Sequence, residues 1–304
     1  MMILQKPAVL LFGKNGQVGF EVQKTLSQFG LVHAFGRQDC DLSNLSRIRE
    51  IVRQLRPDII VNASAYTAVD KAESEPQIAY LINASVPSVL AEEAASVGAL
   101  FVHYSTDYVF DGMQPGWYLE DDVPNPQSVY GKSKLAGESG ITAAGCRNLI
   151  FRTSWVFGAH GGNFAKTILR LAKERESLSV IADQYGAPTS AHLIADVTAQ
   201  VAIQYWNEVN RESFPYGIYH LVAAGETTWY DYAKYVIAYA EKIGIKLRLK
   251  STAIEAISSI DYPLPAPRPS NSKLDSEKLR KTFGLALPDW HQDMAIVLGK
   301  IITV

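Results

Sequence analysis

The sequence is poor in cysteine and histidine. Only two cysteines occur, Cys40 and Cys146, without the close spacing of a paired motif. So few thiols exclude a disulfide framework and a zinc knuckle, and they suit a reducing compartment. The six histidines are equally scattered, so we expect no structural metal.

The sequence also lacks a large excess of charge and long apolar runs. Its formal net charge is -2, with both signs spread along the chain, so nothing attracts nucleic acid or an anionic membrane surface. The apolar stretch from Met1 to Phe12 is interrupted at Gln5 and Lys6, which leaves it too short for a signal peptide. No run reaches the ~18 residues of a membrane-spanning helix. We therefore expect a cytoplasmic protein that binds neither nucleic acid nor membranes.

A glycine-rich turn lies near the start of the chain. Ala8 to Phe12 form a short apolar run typical of a buried strand, and helical spacing of apolar residues begins at Val18. Between them stands the segment Gly13-Lys14-Asn15-Gly16-Gln17-Val18-Gly19. In a strand–turn–helix unit such glycines let the backbone approach a pyrophosphate, which the N–H groups of the helix N-terminus then bind. We predict a dinucleotide site, with an ordinary tight turn as the alternative.

The end of the second predicted strand indicates which dinucleotide binds. Leu31 to Phe35 form this strand, and Gly36-Arg37 follow it. An acidic residue here would hold the ribose diol of NAD, whereas an arginine can accept the 2′-phosphate of NADP. Arg37 therefore favours NADPH, with NADH as a second choice, against the simpler interpretation of a solvated charge.

Further apolar runs alternate with segments of helical spacing. They predict strands Asp58–Asn62, Leu100–Tyr104 and Leu149–Arg152, and helices Leu45–Leu55 and Pro76–Val97. This order is typical of a doubly wound, Rossmann-type α/β fold with a parallel sheet. At 304 residues the chain reaches the length at which one domain tends to divide. We assign residues 1–155 to a dinucleotide-binding domain, to which about 182–222 return, and about 156–181 and 223–304 to a smaller C-terminal substrate-binding lobe.

The regular alternation weakens in the second half of the chain. There the sequence predicts helices Asn163–Lys173, Ala191–Trp206 and Trp229–Ile243, strands Leu178–Ile181 and Tyr219–Val222, a proline-rich loop from Tyr262 to Ser270, and a last short helix, Asp275–Phe283.

Two tyrosine–lysine pairs have a spacing of four residues, Tyr130 with Lys134 and Tyr230 with Lys234. At this spacing both side chains lie on one face of a helix, where the ammonium can stabilise a phenolate and lower the tyrosine pKa. Such a tyrosine can serve as the proton donor beside a carbonyl group. The spacing also arises by chance, so its context must decide between the pairs.

The context favours Tyr130. A predicted strand delivers Ser105-Thr106 upstream of it, at the edge of the sheet where doubly wound folds bind ligands. Asn125-Pro126 provide a cap and a first-turn proline, so we expect its helix to begin there. Tyr230 instead lies among other tyrosines of a late helix, where aromatic packing is the simpler interpretation.

Together these motifs resemble the extended short-chain dehydrogenase/reductases, and more closely the dTDP-4-dehydrorhamnose reductase family. The similar segments span nearly the whole chain: Phe12–Gly19, Asn62–Glu73, Ser105–Gly112, Tyr130–Lys134, Arg152–Gly158, Asp183–Thr189 and Arg268-Pro269. The resemblance implies reduction of the 4-keto group of dTDP-6-deoxy-L-lyxo-4-hexulose to dTDP-L-rhamnose, with hydride from NADPH. It further implies that Tyr130 protonates the alkoxide, that Lys134 binds the nicotinamide ribose and lowers the tyrosine pKa, and that Thr106 hydrogen-bonds the reacting oxygen.

The motifs and the resemblance define two sets of binding residues. For the cofactor we expect Gly13, Asn15, Gly16, Gln17, Val18, Arg37, Asp41, Leu42, Ala63, Ser64, Ala65, Tyr66, Tyr130 and Lys134. For the dTDP-sugar we expect Thr67, Val69, Thr106, Asp107, Tyr108, Trp155 and Arg268. Core packing for Trp155 and a surface charge for Arg268 are the alternatives. Asn83, within a predicted helix, either satisfies its own helix or supports the active-site backbone.

Single residues separate this chain from related enzymes. The 4,6-dehydratases carry a glutamate where this sequence has Tyr108, and reductases that also epimerise commonly carry a cysteine at the position of Val109.

Some family members bridge a homodimer with a divalent metal. Glu21 matches one of their acidic ligands, but His192 replaces the other, so we expect a homodimer without Mg²⁺.

Two other functions stay open. One is reduction of a different nucleoside-diphosphate 4-keto-deoxysugar. The other is a non-catalytic, cofactor-binding regulatory subunit, since fold alone does not determine function. Such a subunit would be expected to have lost part of the Thr106, Tyr130 and Lys134 set, and all three are present.

Overall fold

The computed structural model describes residues 6–302. Residues 1–5 and 303–304, the ends of the predicted domain and lobe, lie outside the described residues. The strands are β1 Ala8–Phe12, β2 Leu31–Phe35, β3 Ile59–Asn62, β4 Leu100–Thr106, β5 Asn148–Thr153, β6 Val156–Phe157, β7 Leu178–Ile181, β8 Tyr185–Gly186, β9 Thr189–Ser190, β10 Gly217–His220, β11 Thr227–Thr228 and β12 Ile254–Ile257. The α-helices are α1 Gln17–Leu26, α2 Leu45–Leu55, α3 Val69–Ala72, α4 Pro76–Tyr80, α5 Val86–Val97, α6 Val129–Ala143, α7 Phe164–Glu174, α8 Ala191–Asn207, α9 Trp229–Lys242, α10 Glu277–Phe283 and α11 Trp290–Ile302.

Within the described residues, six parallel strands form the central sheet, in the order β10-β5-β4-β3-β1-β2. Alternate side chains of each strand point to opposite faces. Val9 and Leu11 join a core cluster with α1 and α8, whereas Leu10 and Phe12 join another with α2 and α5. Because helices cover both faces, β1 is apolar throughout and β3 is apolar up to its last residue, Asn62. The predicted doubly wound α/β fold is confirmed.

The C-terminal half adds short strand pairs beside the sheet. β7 pairs in parallel with β12, and β8 pairs antiparallel with β11. β10, in contrast, extends the central sheet next to β5. The proline-rich stretch from Tyr262 to Ser270 contains neither helix nor strand, as predicted. Among residues 6–302, no helix combines the length and the apolarity needed to cross a bilayer.

The helix that carries Tyr130 begins later than predicted. Asn125-Pro126 do not start α6, because Ser128 caps it and its side chain accepts a hydrogen bond from the Gly131 N–H at 3.1 Å. Asn125 instead donates to Asp111 Oδ2 at 3.0 Å. Serine caps a helix as well as asparagine does, so the cap preference of a single residue could not locate the start.

Other differences concern the helices. The predicted helix Pro76–Val97 contains a π-helical turn at Leu81–Ser85, between α4 and α5. The prediction of Asp275–Phe283 as the last helix is wrong, because α11 follows it. Buried Trp290, Met294 and Leu298 have the spacing that could have indicated α11.

A buried ion pair joins α6 to β5. Arg152 and Glu138 are each only 2% exposed. Their contact is bidentate, with Arg152 Nε donating to one carboxylate oxygen of Glu138 at 3.0 Å and Nη2 to the other at 2.7 Å. Arg152 Nη1 also donates to the Glu120 carbonyl at 3.2 Å. Removing either partner would leave a buried charge without compensation.

We expect Glu138→Ala to lower the free energy of unfolding by about 3–5 kcal/mol, because the Arg152 guanidinium loses its carboxylate. Glu50→Ala is the matched control, since Glu50 is 51% exposed in its ion pair with Arg47. That change should cost less than about 1 kcal/mol. Urea unfolding of both variants measures the difference, and equal losses would contradict this account of the buried pair.

Candidate active site

A cavity of about 760 Å³ lies at the carboxyl ends of β1, β2 and β3. Parallel strands place these ends at one edge of a sheet, where doubly wound folds bind nucleotides. The predicted cofactor residues that line this cavity are Gly13, Asn15, Gly16, Arg37, Asp41, Leu42, Ala63, Ser64, Ala65 and Tyr66. We call it the nucleotide cavity.

Close backbone contacts explain the glycine turn beside this cavity. A Cβ atom on Gly19 would overlap the carbonyl oxygen of Gly13. A Cβ on Gly13 would lie 2.6 Å from the Ala63 carbonyl carbon, and the φ angle of Gly13 is 91°. Only glycine allows α1 to approach the turn and β3 this closely, which keeps the helix N-terminus at the cavity.

Four predicted cofactor residues do not line the nucleotide cavity. The Gln17 side chain accepts a hydrogen bond from Asn163 Nδ2 at 3.0 Å, and Val18 packs against the core. Tyr130 and Lys134 lie on α6, further along the same edge of the sheet.

The nucleotide cavity also has walls that were not predicted. Ile78 and Ile82 contribute an apolar surface from α4 and the turn that follows it, and Lys71 contributes a basic side chain from α3. The spacing of four between the isoleucines was the available signal, but it is equally typical of a helix face buried in the core.

A second cavity, of about 700 Å³, lies between α7, β7 and the proline-rich loop. We call it the substrate cavity. Three predicted substrate residues line it, namely Tyr108, Trp155 and Arg268. Unpredicted walls include Phe164, Thr167, Leu171, Arg175, Gln184, Trp229, Tyr262 and Leu264. These residues come from sequence-distant elements, so no local motif marks them as a group.

Trp155, in this wall, has an unusual backbone conformation. Its φ angle is 48°, a conformation that L-residues other than glycine adopt only rarely. The indole stacks on Trp229 with a centroid distance of 3.8 Å and an interplanar angle of 17°. Gly186 leaves room for it, because a Cβ there would lie 2.7 Å from Trp155 Cε2. Such a conformation persists only where surrounding contacts enforce it.

The proline-rich loop is fastened to α3. Arg268 Nη2 donates to Asp70 Oδ2 at 2.7 Å, and the Ala266 N–H donates to Asp70 Oδ1 at 3.2 Å. Arg268 Nη1 is buried without a hydrogen-bond partner among the described residues. Thr67 and Val69, predicted to bind substrate, lie just before Asp70 and outside the substrate cavity.

The predicted reacting groups meet at the end of β4. Thr106 Oγ1 donates to Asp107 Oδ1 at 3.0 Å and accepts from the Tyr108 N–H at 3.2 Å. The rings of Tyr108 and Tyr130 meet edge to face, with centroids 5.4 Å apart. Asp107 is buried rather than exposed to the substrate cavity, and burial raises its pKa from 3.8 to about 6.

The ionisation of Tyr130 differs from the sequence-based expectation. Burial of its hydroxyl raises the Tyr130 pKa to about 12, although the Thr106 hydroxyl acts to lower it. The predicted lowering by Lys134 is therefore wrong for this arrangement. Lys134 Nζ donates to the Tyr104 carbonyl at 2.6 Å and lies 3.1 Å from His103 Nε2. Burial lowers the pKa of Lys134 itself to about 8.

Asn83 supports the active-site backbone, which decides between its two interpretations. Its side chain accepts a hydrogen bond from the Tyr66 N–H at 2.8 Å and donates to the Tyr66 carbonyl at 3.1 Å. It also donates to Ser133 Oγ at 3.0 Å, and Ser133 Oγ donates to the Tyr130 carbonyl at 2.7 Å. The π-helical turn thus ties the end of β3 to α6.

Tyr230 and Lys234 lie on α9 and line neither the nucleotide cavity nor the substrate cavity. Lys234 Nζ lies 5.0 Å from the centroid of the Tyr230 ring. The alternative pair is thus a cation–π contact on a helix, as its aromatic context indicated.

His192 lies close to two acidic side chains. Its Nδ1 is 3.9 Å from Glu21 Oε2, and its Nε2 is 3.5 Å from Asp196 Oδ2. Among residues 6–302, however, no three His, Cys, Asp or Glu side chains are grouped so that they could hold a metal ion.

The doubly wound sheet, the glycine turn and the Thr-Tyr-Lys set define an oxidoreductase of the extended short-chain dehydrogenase/reductase class. The family model described as RmlD substrate binding domain matches residues 7–302. The dTDP-4-dehydrorhamnose reductase of Escherichia coli K12 is 50% identical over 299 residues, which cover 97% of this chain and 98% of that protein. The chain belongs to the dTDP-4-dehydrorhamnose reductase family.

Solved structures agree with this assignment. A dTDP-4-dehydrorhamnose reductase of Clostridium acetobutylicum superposes with a TM-score of 0.88 at 36% identity, covering 98% of this chain and all (100%) of that one. The Bacillus anthracis enzyme in complex with NADP has a TM-score of 0.87 at 34% identity, covering 97% of this chain and 100% of that one.

We expect Gly19→Ala to destabilise the protein by about 1–3 kcal/mol, because the new methyl group must displace the Gly13 carbonyl from the turn. The same displacement should weaken NADPH binding. Gly116→Ala is the control, since a Cβ there has no neighbour within 4 Å. Urea unfolding and a fluorescence titration with NADPH measure both effects, and normal binding by Gly19→Ala would contradict the close-approach argument.

We expect Asp107→Asn to be more stable than wild type, by an amount that grows as pH rises. The folded-state pKa of Asp107 is about 6, above its ordinary 3.8, so folding favours the protonated acid. The stability that this preference gives the wild-type protein is lost as pH rises through 6. Relative to wild type, the variant should gain up to about 3 kcal/mol between pH 4 and pH 7. Urea unfolding at several pH values measures this difference. A gain that does not depend on pH would show that Asp107 keeps an ordinary pKa.

Proposed function

We propose that this protein reduces the 4-keto group of dTDP-6-deoxy-L-lyxo-4-hexulose to give dTDP-L-rhamnose, with NADPH as the hydride donor. The observation that carries the proposal is the position of Tyr130. It lies in edge-to-face contact with Tyr108, a wall of the substrate cavity, and one helical turn before the buried Lys134. The 50% identity to the dTDP-4-dehydrorhamnose reductase of E. coli supports the same substrate.

The nucleotide cavity suits NADPH. The glycine turn and the N-terminus of α1 would hold the pyrophosphate, because the backbone there comes within reach of a ligand. Arg37 lines the cavity, and its guanidinium would hold the 2′-phosphate. Lys14 is engaged in an ion pair with Asp39 at 2.7 Å, which leaves Arg37 as the main cation at this end. The related B. anthracis structure holds NADP, and NADH remains the second choice.

The substrate cavity suits a nucleoside-diphosphate sugar. The stacked Trp155 and Trp229 offer aromatic surface for a base or a sugar ring. Arg175 and Arg268 also line the cavity, and their guanidinium groups match the geometry of phosphate oxygens. The buried, unpartnered Nη1 of Arg268 gives this cavity a donor for an anionic ligand.

Bound NADPH would supply the hydride to C4, and the chain's own residues would supply the proton. With a pKa of about 12, Tyr130 stays protonated at neutral pH and can act as the acid that completes the alcohol. Thr106, whose hydroxyl is oriented by Asp107 and by the Tyr108 N–H, would hydrogen-bond the reacting oxygen. Lys134 would hold the nicotinamide ribose.

Other features of the proposal come from the sequence. The division of the chain into a dinucleotide-binding domain and a substrate-binding lobe, the homodimer and the cytoplasmic location stay predictions. The presence of Thr106, Tyr130 and Lys134 around one strand end favours an enzyme over a regulatory subunit. Reduction of another nucleoside-diphosphate 4-keto-deoxysugar is the alternative outcome of the assay below.

Tyr130→Phe should lower turnover about 10²–10⁴-fold, because it removes the proton donor, while NADPH binding stays near normal. Tyr230→Phe is the matched control and should keep full activity, since it lines neither cavity. The assay follows NADPH oxidation with the 4-keto-6-deoxy sugar nucleotide, which a 3,5-epimerase generates in place, and identifies the product by NMR. Near-normal turnover by Tyr130→Phe would contradict the assignment of the acid. A lack of product with any such keto sugar would favour the regulatory alternative.

A further inference from the structure

Two carboxylates fasten the chain on either side of an exposed stretch, residues 260–265. Before this stretch, Asp183 accepts hydrogen bonds from the Ser259 N–H at 2.9 Å and from the Ser259 hydroxyl at 3.0 Å. After it, Asp70 Oδ1 accepts a hydrogen bond from the Ala266 N–H at 3.2 Å. Asp183 follows β7 and Asp70 lies on α3, so the two attachments belong to separate elements. We call residues 260–265 the strap.

Between these attachments the strap makes no hydrogen bond or ion pair to another element within residues 6–302. The N–H groups of Ile260, Asp261 and Tyr262 donate only to Ser258 and Ser259, which directly precede the strap. All six residues of the strap are exposed. The strap therefore does not hold the core together, and we expect substitutions on it to leave the fold intact.

Alternate residues of the strap line the substrate cavity. Tyr262 and Leu264 line it, whereas Pro263 and Pro265 do not. A residue that precedes a proline is disfavoured in helical backbone and tends to be extended. Successive side chains of extended backbone point to opposite sides. The alternation with proline therefore directs the two large apolar side chains to one side, towards the cavity.

The apolar side chains of the strap are exposed where they line this cavity. Tyr262 is 57% exposed and Leu264 is 36% exposed. Apolar surface in contact with water is unfavourable, so a ligand that covers these side chains gains free energy from their burial. The stacked Trp155 and Trp229 line the same cavity. The cavity thus offers apolar surface from both the strap and the tryptophan pair.

We propose that the strap belongs to the sugar-nucleotide site, where Tyr262 and Leu264 cover the bound ligand. This inference rests on the proposed function, which places a nucleoside-diphosphate sugar in the substrate cavity. Such a ligand has apolar parts, the flat face of its base and the methyl group of a 6-deoxysugar, which suit a phenol ring and a leucine side chain. Its diphosphate is matched instead by Arg268, which follows the strap and lines the same cavity.

Pro263 and Pro265 make the strap suitable for binding. Each pyrrolidine ring fixes its φ angle, so the strap loses little conformational freedom when a ligand orders it. A flexible segment would lose more, and that loss would offset part of the contact with the ligand. We therefore expect the side chains of Tyr262 and Leu264 to contribute to affinity.

The accessibility of an introduced thiol tests whether the ligand covers the strap. Cys40 and Cys146 are buried, so a cysteine placed on the strap is the thiol that reacts with the reagent DTNB. Leu264→Cys places it in the cavity wall. Ile260→Cys is the matched control, because Ile260 is 87% exposed on the same strap but does not line the cavity. With dTDP at about 100 times its Kd, labelling of Leu264→Cys should slow about tenfold or more, and labelling of Ile260→Cys should not change.

Kinetic constants separate a binding role of Tyr262 from a role in folding. Tyr262→Ala should raise KM for the keto sugar nucleotide about tenfold, with kcat within about threefold of wild type, because the contact is made throughout the reaction. Tyr262→Phe keeps the ring and should retain the wild-type KM. Ile260→Ala is the control and should change neither constant. A defect in folding would instead lower kcat by reducing the amount of active enzyme.

Calorimetry with dTDP distinguishes the failure of this inference from that of the proposed function. Binding of dTDP without protection of Leu264→Cys, or an unchanged KM in Tyr262→Ala, would overturn the inference and leave the reductase proposal intact. If dTDP does not bind to the wild-type protein, both are wrong, because the substrate cavity then does not take this nucleotide.

Discussion

The register of the parallel sheet is the constraint on which the active site depends. It places Phe12 beside Asn62 and Asn62 beside His103 on neighbouring strands. A slip of one residue would turn every side chain of a strand to the opposite face. The hydrogen bond between Asn62 and His103 would then be lost, and the Thr106 hydroxyl would point away from its present neighbours. The buried apolar faces of the strands fix this register, so the packing of the core determines the geometry of the active site.

Much of this arrangement could be predicted because it is local. The glycine turn, the strands of the central sheet and the Tyr130–Lys134 spacing each follow from a short segment and a backbone preference. The start of α6 could not be chosen locally, since Asn125 and Ser128 are equally good caps. The partners of Lys134 could not be predicted either, because His103 lies inside an apolar strand and its contact depends on how that strand packs against α6.

The substrate cavity shows the same limit more strongly. Its walls come from α7, β7, α9 and the proline-rich loop, which are brought together only by the complete fold. Trp155 was predicted from a motif, but its left-handed backbone and its stacking on Trp229 were not. Gly186 explains how the indole fits there, because it leaves the space that the ring fills. A glycine that is needed because it lacks a side chain does not indicate in the sequence which other residue fills the space.

The contact between Arg268 and Asp70 has a consequence for how this fold can diverge. The two residues are 198 positions apart in sequence, yet one carboxylate fastens both the guanidinium and the backbone of the proline-rich loop. A change at either position alone would remove this contact and loosen a wall of the substrate cavity. New substrate preferences are therefore expected to arise first elsewhere in the cavity, on α7 or β7, where a side chain can change without detaching the loop.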